Sequence, residues 1–169
     1  MILDLSTFLN ILNTVAIIAA GIFAAVQLLQ LKKQRSRESA LQMLNSVQTP
    51  EFIDALNIIY NLSGDLTKKE IEDELGDKLS NVMVMFVKLE SLGLLVFKRE
   101  IKLDLVADFM RGPIILFWNK MKNYFIETRE LNNDENFGEW VQWLAEQIEN
   151  ELATKNKKPA HLIYKTWKK

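Results

Sequence analysis

Residues 5–31 read LSTFLNILNTVAIIAAGIFAAVQLLQL, without one charged side chain. About 20 apolar residues, at roughly 1.5 Å of rise each, suffice for a helix to cross a bilayer, and this stretch exceeds that. Lys32, Lys33, Arg35 and Arg37 follow it, and no Lys or Arg precedes it. A cleavable signal has the opposite layout, with positive charge before a shorter apolar run and a small-residue cleavage site after it. A core helix of this length, apolar around its whole circumference, is uncommon. The stretch therefore reads as a single span of the plasma membrane. The positive-inside rule then puts the N-terminus outside and the remainder of the chain in the cytoplasm.

The span is not uniformly apolar. At 100° per residue, Asn10, Asn13, Thr14, Ile17, Gly21 and Ala24 fall along one stripe. Amides in hydrocarbon need hydrogen-bond partners, and small residues let a second helix come close. The stripe thus reads as a helix-packing face, set against the plainer reading that the Asn residues sit at headgroup level.

Composition limits what the rest can be. The 169 residues carry a net charge of −1, no Cys and one His, with a pI near 5.9. Disulfides, thiolate chemistry and Cys-based metal sites are excluded, and His161 alone supports no catalytic claim. Near-neutral charge argues against a nucleic-acid partner.

Helical spacing continues through residues 34–48 as a stalk, with Ala40, Leu41, Leu44 and Val47 on one side. Thr49-Pro50 is a stop-and-restart signal, with Thr as N-cap and Pro in the first turn. The helix it opens carries Phe52, Ile53, Leu56, Ile59 and Tyr60 and ends near Ser63-Gly64. Thr67 and Glu70 form a capping box for a short helix closing at Gly76. Residues 77–96 are apolar in nearly every direction, but Lys88 and Glu90 at the centre would each cost about 3 kcal/mol in a bilayer, so this is the core helix of a soluble domain. A helix over 101–110 should stop at Gly112-Pro113, where another begins and aligns Ile114, Phe117, Trp118, Met121, Tyr124 and Phe125. The last helix, 135–152, aligns Phe137, Trp140, Val141, Leu144, Ile148 and Leu152. The expected fold is all-α: an anchor (1–33), a stalk (34–48), a cytoplasmic bundle of about five helices (49–153) and a lysine-rich tail (154–169).

The segment LESLGLLVFKREIKLDLVADFMRGPIILFWNKMKNYFIETRE, residues 89–130, resembles a bacterial and archaeal family of small proteins with one N-terminal span and a helical cytoplasmic domain. Glu90, Gly93, Asp104, Leu105, Asp108, Trp118 and Arg129 carry the resemblance, with Trp143 and Leu144 in the closing helix. It implies a fold and a topology and brings no activity with it. Residues 66–101 also resemble a winged-helix unit with a "Leu-Glu-x-x-Gly-Leu-Leu" exit. Its recognition helix would, however, show Val82, Met83, Val84 and Met85 to a groove that demands polar side chains.

Glu90 shares a stripe with Leu79, Met83, Phe86 and Phe97, so its carboxylate needs a partner. Arg129 is the expected one, as a buried ion pair or, less simply, a ligand or proton site. Asp104 and Asp108, four apart, read as a solvated face or helix cap before a metal pair. Trp143 is rotated about 120° from the apolar face of its helix and reads as an exposed partner contact, unless the tail covers it. Lys32, Lys33, Arg35 and Arg37, with Lys165, Trp167, Lys168 and Lys169 of the tail, suit anionic lipid headgroups. No catalytic, cofactor or metal residues are expected. The leading expectation is a non-catalytic accessory or regulatory subunit of a larger membrane protein complex. A self-associating scaffold through the same span is the alternative.

Overall fold

The computed structural model describes residues 4–155 together with 162 and 165. Their elements are α1 (Leu5–Val47), α2 (Pro50–Asn61), α3 (Lys68–Leu75), a 3-10 turn (Gly76–Lys78), α4 (Leu79–Phe97), α5 (Leu103–Asn132) and α6 (Glu139–Lys155). The fold is all-α. With no strand among the described residues, the winged-helix reading lacks the wing it requires.

The chain divides into two compact units, Met1–Leu41 and Gln42–Lys169. The first is a helix long and apolar enough to cross a membrane, and none of its apolar window is buried. Nothing interrupts it after Lys32, because no Gly or Pro occurs between Gly21 and Pro50. Gln34 donates to Glu38 one turn on, at 2.9 Å. The expected inward row of the stalk is corrected at Leu41, which is exposed. Val47 is buried as expected and is joined by Met43 four residues earlier, while the side chains of Ala40 and Leu44 lie outside the described ones.

In the second unit the local signals act as their chemistry dictates. The Thr49 hydroxyl accepts from Phe52 N–H, and Thr67 with Glu70 forms a complete capping box. In α2, Phe52, Ala55 and Ile59 are buried, while Ile53 and Tyr60 are exposed. Residues Lys68–Phe97 also have the length and apolarity of a span, yet Val82, Met85 and Leu89 of α4 are fully buried, which makes α4 a core helix. It packs on α2 and α6, and α5 lies against α6, α3 and α2.

Two boundaries differ from expectation. α5 runs straight through Gly112 and Pro113. Its buried residues Val106, Met110, Ile114, Phe117, Met121 and Phe125 recur every three or four positions across the proline, and that continuous apolar face outweighs one missing N–H. α6 begins at Glu139 and not at residue 135, because Asn133 (φ 48°) and Gly138 (φ 75°) turn the chain in a left-handed backbone conformation.

Candidate functional site

The two charges in the middle of α4 are spent on neighbouring helix ends. Lys88 Nζ donates to the Thr49 hydroxyl at the N-cap of α2, at 2.7 Å, and lies 5.8 Å from the Phe52 ring centre. Two residues on, half-buried Glu90 accepts from the Val141 N–H of α6 at 3.2 Å, a bond across 51 residues of sequence. A carboxylate among the free N–H groups of a helix start is favourably placed, since those groups carry partial positive charge. Burial pushes the Glu90 carboxyl above the usual carboxylate range, while the amides of Val141 and Trp140 pull it down.

The expected Glu90–Arg129 ion pair does not form; among the described residues the ion pairs are Lys68–Glu72 and Lys122–Asp65. Arg129 instead ties the α5–α6 corner together. Its Nε donates to the Phe137 carbonyl and its Nη1 to Gln142 Oε1, both at 2.7 Å. The reason is reach. Two carbonyl-type acceptors sit beside the guanidinium in its own corner, and the α6 amides take the carboxylate.

Gly93, almost one turn beyond Glu90, lets α6 approach α4. A Cβ there would run into the Trp140 carbonyl oxygen and come within 2.9 Å of its carbon. Glu90, Gly93 and Arg129, three of the residues that carry the family resemblance, therefore converge on the start of α6. Their arrangement fixes a joint between α4, α5 and α6.

Trp143 is corrected as well: it is half-buried. Phe97 meets it edge-on at 5.7 Å, and Trp140 lies 6.3 Å away. Beside it runs an open groove of about 790 Å³, lined by Val96, Ile101, Leu103 and Trp143, with Asp104 and Glu151 among its polar residues. Sequence reasoning missed this groove. It forms where the left-handed turn at Arg99 (φ 61°) brings the end of α4 and the start of α5 beside α6, and no local pattern announces that meeting. Asp104 accepts from the neighbouring Leu105 N–H, and among the described residues no three or more Asp, Glu, His or Cys are arranged to hold a metal ion.

On α1, Asn10, Asn13, Thr14, Ile17, Gly21 and Ala24 are all exposed. The Thr14 hydroxyl donates back to the Asn10 carbonyl at 2.8 Å, so it is satisfied within its own helix. Space around Gly21 is open. Lys32, Lys33, Arg35, Arg37 and Lys165 are exposed, while Trp167, Lys168, Lys169 and His161 lie outside the described residues.

Fold and joint together define an all-α domain preceded by a long, uncovered apolar helix. The chain belongs to the family described as a domain of unknown function, DUF4760, whose model matches residues 14–148. The match takes in the apolar helix from Thr14 as well as the helical domain. No curated protein and no solved structure matches the chain.

Proposed function

We propose that this chain is a non-catalytic accessory or regulatory subunit of a larger membrane protein complex. Residues 5–31 are its single span, the N-terminus is outside, and the helical domain works in the cytoplasm. The supporting observation is α1 itself, whose apolar window has no side chain buried and whose Asn10 and Asn13 line up with Gly21 and Ala24. Thr14 is satisfied internally, but amides in hydrocarbon gain from a partner helix, at about 0.6 to 2 kcal/mol for each interhelical hydrogen bond. Exposed Lys32, Lys33, Arg35 and Arg37 sit at the cytoplasmic headgroups, where each basic residue contributes about 1 kcal/mol.

The test is purification of the tagged protein from native membranes in mild detergent, with size measurement and mass spectrometry of what accompanies it. A foreign membrane protein should co-purify, and Asn13→Leu with Gly21→Leu should release it while the variant stays in the membrane. Recovery of the chain with its own copies alone favours the self-associating scaffold. A lone monomer in wild type and variant alike contradicts both.

A further inference from the structure

Beside Trp143, the end of α4 and the start of α5 leave an open groove. We propose that residues 156–169 dock back along α6 and lay Leu162–Tyr164 over Trp143 and Phe97. These residues lie outside the described ones apart from Leu162 and Lys165, so the inference rests on the groove, on charge and on reach.

Charge is the first ground. From Glu130 to Thr154 the sequence has seven acidic and no basic residues, while from Lys155 onward it has six lysines and no acid. Glu146 and Glu149 are exposed on α6, and Glu151 lines the groove with Asp104. Arg99 and Lys102 also line it, which restricts the register. Lys157 and Lys158 must run beside the carboxylates, leaving the uncharged Leu162–Tyr164 for the aromatic floor.

Reach gives the same register. Trp143 lies 12 residues before Lys155, or about 18 Å along the helix axis. Pro159 cannot donate the bond a continuing helix needs, and extended chain covers that distance in roughly six residues at 3.3 Å each. The count ends next to Leu162. That side chain is 48 % exposed and Phe97 is 50 % exposed, so both have apolar surface left to bury.

Because the chain has no native Cys, engineered pairs read this directly. Full-length protein in mild detergent would carry Gln147→Cys with Ala160→Cys, or, as control, Tyr60→Cys with Ala160→Cys. Gln147 lines the groove and Tyr60 is exposed on α2, away from it. A disulfide needs Cα atoms closer than about 7 Å. Under mild oxidation the first pair should close within one chain about tenfold faster than the control, as expected for a raised local concentration. Adding Leu162→Asp should slow it to the control rate. Equal rates for the two pairs, or bonds only between chains, would overturn the proposal, and the lysines would then be left to a lipid surface.

Discussion

Glu90 shows how a half-buried carboxylate can be held by backbone amides in place of an ion pair. Its partners are backbone amides at the start of α6, so removing it strands those N–H groups, while the Arg129 hydrogen bonds to Phe137 and Gln142 stay in place. Glu90→Ala should lower the unfolding free energy by about 1–3 kcal/mol in denaturant titrations. Glu90→Gln keeps an acceptor and should cost much less. The pH dependence follows from the raised carboxyl, whose largest cause is burial. With the folded pKa above the unfolded one, folding favours the protonated form, so its contribution is fully present at low pH and is lost as pH rises through the folded value. Relative to Glu90→Gln, wild type should therefore lose stability from the ordinary carboxylate range upward. Parallel curves for the two proteins would show that the group is not desolvated. The stripe predicted that Glu90 turns inward, but helix phase gives a direction and not a neighbour, and the neighbour is 51 residues away.

Two glycines within helices make different predictions at the scale of the element. Gly112 of α5 is exposed, and apart from its chain neighbours nothing lies within 4 Å of where a Cβ would stand. The helix-propensity gain of about 0.5–1 kcal/mol from Gly112→Ala is opposed by the clash of that Cβ with the Pro113 ring, so the variant should change stability by less than about 0.5 kcal/mol. Gly93 of α4 faces the Trp140 backbone, and Gly93→Ala must push α6 away, losing about 1–3 kcal/mol. Thermal unfolding of both variants decides it; a rise in melting temperature for Gly93→Ala would mean α4 and α6 are not in close contact. The elements themselves were largely legible where the signal is local, as in the Thr49-Pro50 start and the Thr67–Glu70 box. Pro113 misled because the rule against proline in helices weighs one hydrogen bond, whereas α5 is held by a buried face that continues on either side of it. The start of α6 differs because Asn133 ends α5 and Gly138 leads into α6 through left-handed backbone angles that composition does not display.

For the whole molecule, the separation into an apolar helix and a helical domain was plain from 27 uncharged residues followed by a basic cluster. The tertiary contacts of the domain were not, since the Arg129 corner, the Lys88–Thr49 bond and the groove all join residues from different elements. Every part of the functional account depends on α1 being retained and spanning. Cysteines placed singly at Ser6 and Ser63 in this Cys-free chain, probed in intact cells with a membrane-impermeant thiol reagent, test that most directly. The account predicts labelling of position 6 from outside, labelling of position 63 only after the cells are opened, and an intact mass that still includes residues 5–31. Labelling of position 63 in intact cells, or a mature chain lacking the apolar stretch, would contradict it.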